Sequence, residues 1–201
     1  MTRITSIEQL REIIPAPSDK AFAKIRDRLC GQGIALVERC PFVILSTIGD
    51  WGIEVSQRGG DPGFVEIVDD RTLLIPEYRG NQFALALGNI LADPRVGLAL
   101  LRPGTDEVLR ISGRASLLRD AETCERLSAG GHPAVLAIRM EIDRAAFHCP
   151  RSARRAGLWQ PDRWDAPQQV SFGRIYAEAL HAPEVREAFD RMAKESDAKL
   201  Y

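Results

Sequence analysis

The residues best suited to chemistry lie together in one short loop, Glu77-Tyr78-Arg79-Gly80-Asn81-Gln82. A cation, a glycine and two amides follow the apolar run Leu73-Leu74-Ile75-Pro76 and precede a helical pattern that begins at Gln82. Where a strand gives way to a helix N-terminus, unpaired backbone N–H groups and the helix dipole both favour an anion. The loop therefore offers a grip for a phosphate. Side-chain catalysis has less to work with. The chain contains no Gly-x-Ser-x-Gly, no His-Glu-x-x-His and no Gly-x-x-x-x-Gly-Lys-Ser/Thr. His132, His148 and His181 are dispersed, and Cys30, Cys40, Cys124 and Cys149 form no Cys-x-x-Cys, so no metal-ligand spacing exists. If this chain is an enzyme, a bound cofactor carries its chemistry.

The elements that hold the loop can be read from period and turn residues. Ser6 to Ile14 predicts a short helix ended by Pro15, and Ser18 looks like the N-cap of a second helix. That second helix would carry Phe22, Ile25 and Leu29 on one face, with Gly31 after it. Pro41 to Thr47 reads as a strand buried on both faces, and Gly49-Asp50-Trp51-Gly52 turns it into a return strand, Ile53 to Gln57. Phe64–Val68 and Thr72–Ile75 flank Asp69-Asp70 as a second hairpin. Helical spacing from Gln82 to Leu91 stops at Asp93-Pro94, and Val96 to Leu101 is a further buried strand. Strands at Val108–Ala115 and Ala134–His148 enclose a helix at Asp120–Ala129. The tail carries helices near Ser171–Leu180 and Glu184–Ala193, the latter with an apolar stripe of Val185, Ala188, Phe189 and Met192. Six or more strands joined mostly by tight turns predict a mainly β, α+β fold: a small antiparallel barrel with helices packed outside. One domain is expected over 1–201, with N-terminal helices in 1–35, the barrel in 36–150 and a helical tail in 151–201.

Composition narrows the function further. A net charge of −1 gives no electrostatic case for nucleic acid or an anionic membrane. No apolar run approaches the roughly 20 residues that span a bilayer. The N-terminal Met1-Thr2-Arg3-Ile4-Thr5 lacks the apolar core of a secretion signal, and scattered cysteines suit buried thiols in a reducing cytoplasm.

Val55-Ser56-Gln57-Arg58-Gly59, Leu74-Ile75-Pro76, Arg79-Gly80-Asn81, Asn89 through Leu98, and Leu109 through Ala115 follow one another along the chain. Their order and spacing resemble the flavin-binding split-barrel family of pyridoxamine 5′-phosphate oxidase. His148-Cys149, Arg155 and Leu158-Trp159 resemble the tail of a subgroup described only as FMN-dependent enzymes. Membership implies an antiparallel split β-barrel with peripheral α-helices, a homodimer, and two FMN sites at its interface. By position, Ser56, Gln57 and Arg58 would line the isoalloxazine and ribityl chain. Ile75 and Pro76 would approach the ring through backbone groups, and Arg79, Asn81 and Gln82 would hold the phosphate. Arg155 and Trp159 of the second subunit would close the pocket.

The resemblance carries fold and flavin further than substrate. Arg79-Gly80 is followed by Asn81 where the oxidase has Ser-Arg-Lys-Gly, and the strand Glu107 to Gly113 lacks its flavin-contacting glutamine. The implied function is FMN-dependent oxidation or reduction of an unidentified small molecule, with these departures weighing against vitamin B6. Two other readings stay open: an FMN-binding protein without catalysis (a flavin store or redox sensor), and a relative using coenzyme F420 or haem. Individual residues have plainer readings as well. Arg58 among glycines reads equally as a solvated loop arginine, Trp51 as surface or interface packing, and Trp159 as an anchor for the tail. Arg151, Arg154 and Arg155 read as a solvated basic face, and His148-Cys149 as a packed histidine and a buried thiol.

Overall fold

The computed structural model describes residues 3–80 and 82–197. Short helices α1 (Ile7–Ile13), α2 (Asp19–Phe22) and α3 (Gly31–Val37) lead into strands β1 (Phe42–Gly49), β2 (Gly52–Gly59), β3 (Glu66–Asp69) and β4 (Thr72–Glu77). Helix α4 (Leu85–Ala92), strands β5 (Arg95–Leu101) and β6 (Val108–Leu118), helix α5 (Ala121–Arg126) and strand β7 (Leu136–His148) follow. The tail holds α6 (Arg151–Ala156), α7 (Phe172–Ala179) and α8 (Arg186–Asp197).

All seven strands join one sheet in the order β2-β1-β5-β6-β7-β4-β3, and every neighbouring pair is antiparallel. The sheet curls without closing, as expected for an antiparallel split barrel with peripheral helices. Alternation in the sequence drives this. Val43 and Leu45 of β1 pair with Leu100 and Leu98 of β5, which pair in turn with Leu109 and Ile111 of β6. Each row of apolar side chains thus runs from strand to strand around the inner face. Leu73 and Ile75 of β4 and Ile138 and Met140 of β7 complete the core, all fully buried. Leu36 and Val37 of α3 and Ala86 and Ile90 of α4 plug it. The ladder between β6 and β7 slips at Ser112/Gly113. A Cβ on Gly113 would lie 1.9 Å from the Glu141 carbonyl oxygen, so this bulge needs glycine.

Several expectations change in detail. The second N-terminal helix lasts a single turn, because Arg26 leaves it to exchange two backbone hydrogen bonds with Ala145 at 3.0 and 2.7 Å. Leu29 then donates to Asp70 O at 2.7 Å and is buried, so its apolar side chain serves the barrel rather than a helix face. Gly31 consequently opens a helix instead of ending one. Strands β1 and β5 alternate between buried and half-exposed positions and are not covered on both faces. Cys40 and Cys124 are buried free thiols, whereas Cys149 is exposed and His148 with it. The basic loop does not run straight into a helix: α4 starts at Leu85, behind Ala84 in the left-handed conformation at φ +48°. In the tail, α7 and α8 form a hairpin. The rings of Tyr176 and Phe189 stack with centroids 4.1 Å apart, and Asp190 accepts hydrogen bonds from Ser171 Oγ and Gly173 N, both at 2.9 Å.

Candidate functional site

The two ends of the curled sheet face one another across the split. β2 is the strand at one end, and β4 lies next to the other. No backbone ladder joins them, so any tie must come from side chains. Arg58 supplies it. The pleat of β2 leaves Ile53, Val55 and Gln57 exposed, turns Ser56 half inward and buries Arg58 to 9% exposure. Its Nε donates to Glu77 Oε2 at 2.6 Å, and the two side chains are 9% and 6% exposed. Nη1 donates to Ser56 Oγ at 3.1 Å and to Gln57 O at 2.8 Å. Nη2 is sealed from water and meets no acceptor, the only buried side-chain atom so placed among the described residues.

That pattern carries an energetic argument. Withdrawing a guanidinium and a carboxylate from water costs several kcal/mol per ion, and only close, well-aligned partners return it. Arg58 has such partners on two of its three nitrogens. Leaving a charged N–H donor unmet costs roughly 1–3 kcal/mol or more, so a buried orphan calls for an acceptor from outside the chain. A cleft of about 620 Å³ adjoins it, lined by Ser56, Gln57, Arg58, Gly59, Gly60, Asp61, Pro76, Glu77, Tyr78 and Arg79. This lies within the range of cofactor and ligand sites, roughly 300–1,000 Å³.

The two walls of the cleft have different origins. One is the end of β2 and the following glycine loop, pinned where Gly60 N donates to Pro41 O at 3.1 Å and Gly63 N to Cys40 O at 3.2 Å. The other is the end of β4 and the basic loop. Val135 N donates to Glu77 O at 2.8 Å, and Tyr78 Oη donates to Leu127 O at 3.3 Å. Gly80 then takes φ +118°, which only glycine adopts without strain, and its carbonyl accepts from Gln82 N at 3.0 Å. This turn leaves Arg79 exposed at the rim, with no ion pair among the described residues. Arg79 also borders a second hollow of about 460 Å³ shared with Arg119, Asp120 and Cys124. There Asp120 caps α5 by accepting from Thr123 N at 2.8 Å. Its carboxyl is held below the ordinary range, first by that backbone N–H and then by the Thr123 side chain.

The structure thus gathers Ser56, Gln57, Arg58, Pro76 and Arg79 around one cleft. Ile75 stands directly behind them, its side chain fully buried in the core, so only its backbone could approach a ligand. Gln82 is exposed beyond the Gly80 turn and is not part of the lining. Asn81 lies outside the described residues. Arg155 and Trp159 are elsewhere in the same chain: Arg155 is exposed on α6, and Trp159 Nε1 donates to Thr105 O at 2.8 Å beside the β5–β6 loop. In the basic cluster, Arg154 pairs with Asp106 at 2.9 Å. Glu77 is the residue that sequence reasoning passed over. A signal existed: an acid directly after the apolar run Thr72–Pro76, all of it buried, must find a cation.

No group of three His, Cys, Asp or Glu among the described residues is arranged to hold a metal ion. No helix among them is long and apolar enough to cross a membrane.

The comparisons with known proteins bear on the same segment. No curated protein matches the chain. Among solved structures, similarity extends to HupZ of Group A Streptococcus at 14% identity, covering 58% of this chain and 92% of that one, with a TM-score of 0.47. An FMN-binding protein from Syntrophomonas wolfei is 15% identical, covering 71% of this chain and 93% of that one, with a TM-score of 0.45. A protein of Clostridium acetobutylicum related to general stress protein 26, of the pyridoxinephosphate oxidase family, is 14% identical over 58% of this chain and 85% of its own, with a TM-score of 0.46. The profile of the family named pyridoxamine 5'-phosphate oxidase matches residues 34–149, from α3 through the end of β7 and hence both walls of the cleft. With more than half its length matched, this chain belongs to the pyridoxamine 5'-phosphate oxidase family.

Proposed function

We propose that the chain binds FMN non-covalently in the cleft between β2 and the end of β4, at the interface of a homodimer, and acts as an FMN-dependent oxidoreductase on a small organic molecule. The carrying observation is Arg58: buried, fixed on two nitrogens, with Nη2 lacking an acceptor beside an open cleft. The residues present fit the group. The buried Arg58 guanidinium in the cleft wall, with one donor unmet, suits a carbonyl oxygen or ring nitrogen, and the exposed cation of Arg79 at the rim suits a phosphate. Bound FMN would supply the redox chemistry by exchanging electrons with the substrate.

The chain's own part is to bind and orient. Ser56, Gln57 and Arg58 line the ring and ribityl side, and Ile75 and Pro76 offer backbone groups. Arg79, with Asn81 and Gln82, takes the phosphate. Arg155 and Trp159, which do not line the cleft of their own chain, would close the cleft of the partner subunit. A second copy has a surface to meet: Ile53 and Val55 on the outer face of β2 are 74% and 58% exposed, and Trp51 beside them is 91% exposed.

The test is direct. The purified protein is scanned in the visible range, then denatured, and the released chromophore identified by fluorescence and mass. Arg79→Ala is expected to weaken FMN binding about 10- to 100-fold, because a charge-assisted hydrogen bond contributes roughly 1.5–3 kcal/mol. A native protein that stays colourless in excess FMN refutes the proposal. A second reading is a flavin store or sensor without turnover. Bound flavin that no electron donor or substrate panel turns over would establish it.

A further inference from the structure

We propose that Glu77 is a positioning residue that cancels the charge of Arg58, so that the cleft offers bound FMN a fixed N–H donor without a net positive charge; this rests on the FMN reading above. Glu77 is 5% exposed at the very end of β4, where its carboxylate takes the Nε edge of Arg58 at 2.6 Å. Ser56 and the Gln57 carbonyl take Nη1. Three contacts from two strands therefore fix the plane of the guanidinium, and one donor, Nη2, is left over. Because the pair is neutral as a unit, that donor suits an uncharged acceptor such as a ring carbonyl. A phosphate or carboxylate placed there would meet the Glu77 carboxylate as well. Arg79, which has no ion pair among the described residues, keeps its full charge for the anionic end of the ligand.

This division has a redox consequence. When FMN takes up two electrons and one proton it gains one negative charge. An uncompensated guanidinium beside the ring would favour that state, and Glu77 withholds the favour. Glu77→Gln keeps an acceptor for Nε and removes the charge, at the cost of exchanging the other carboxylate oxygen for an amide donor. Two unit charges about 10 Å apart at an effective dielectric of about 20 change an equilibrium by roughly an order of magnitude.

The experiment measures the two-electron reduction of FMN bound to the native protein, Glu77→Gln and the double variant Arg58→Gln/Glu77→Gln, titrated anaerobically with dithionite against reference dyes. Glu77→Gln is expected to raise the equilibrium constant for reduction about tenfold, which is about 30 mV for a two-electron couple. The double variant, neutral again, should return to within about threefold of the native value. A merely structural Glu77 would change stability and leave the potential alone. Glu77→Gln that folds, keeps FMN and stays within threefold of native overturns the inference while leaving FMN binding intact. Should Glu77→Gln not fold, a double variant that folds with a near-native potential supports charge compensation, and one that fails or shifts more than tenfold overturns it. A native protein that takes up no FMN refutes the flavin reading, and this inference falls with it.

Discussion

Replacing Arg58 by Met removes the cation held against the buried Glu77 carboxylate, and the structure sets how much that should cost. The side chains are 9% and 6% exposed, so solvent screening gives little relief. Breaking a buried pair by removing one partner typically costs about 3–5 kcal/mol, because an unpaired charge stays behind. At roughly 2–4 °C per kcal/mol for a domain of this size, the Tm should fall by about 6–20 °C. Glu77→Leu should cost a similar amount by stranding the guanidinium. The double variant Arg58→Met/Glu77→Leu removes both charges together and forfeits the hydrogen bonds from Nη1 to Ser56 and Gln57 along with the other contacts of the Glu77 carboxylate. It should therefore lie only about 1–3 kcal/mol below native and above both single variants. Urea and thermal unfolding of the flavin-free protein, followed by far-ultraviolet circular dichroism, measure all four corners of the cycle. Single variants within about 1 kcal/mol of native, or a double variant that merely adds the two losses, would refute the picture of a side-chain tie across the split.

Three other outcomes are expected. Asp27 lies between Arg28 and Arg71, which hold its carboxyl down to about 2, Arg28 contributing most. Since the folded value is depressed, the stabilisation is complete above about pH 4 and is lost as the pH falls toward 2. Asp27→Asn should flatten acid unfolding in that window, and an unchanged pH profile would contradict the pairing. Gly173→Ala would put a methyl 2.0 Å from the Arg186 carbonyl oxygen, so amide hydrogen exchange across α7 and α8 should accelerate while the barrel strands stay protected. On the proposed dimer with FMN at its interface, Ile53→Asp/Val55→Asp should yield monomers at micromolar concentration that retain no FMN, as read by light scattering and retained absorbance. A variant that remains dimeric with native flavin content would move the interface elsewhere.

Much of the barrel is legible from local pattern. The apolar runs of β1 and β5 report strands, though not that only one face of each is buried, and Gly49-Asp50-Trp51-Gly52 reports the hairpin between β1 and β2. Ser6, Asp120 and Ser171 mark helix starts by their capping oxygens, each accepting from the backbone N–H three residues on. The failures share a cause. Phe22, Ile25 and Leu29 fit a helical face, yet Arg26 finds Ala145 across 119 positions of sequence, and that long-range pairing outweighs a weak local preference. The start of α4 slips to Leu85 because Ala84 before it takes the left-handed conformation at φ +48°, and the helix then packs on β1, where Asn89 Nδ2 donates to Thr47 Oγ1 at 3.1 Å.

The site divides along the same line. The residue types alone marked out the Arg79-Gly80 turn, because it is a property of a few adjacent residues, whereas the arginine of β2 and the end of β4 were singled out by the resemblance to the family's motifs. Only the tertiary structure brought Arg58 to Glu77, 19 positions away on another strand, since the curl of the sheet sets which side chains face one another across the split. Burial, which turns an ordinary ion pair into a constrained one with a donor left over, is likewise a property of the closed fold. No short stretch of sequence contains it.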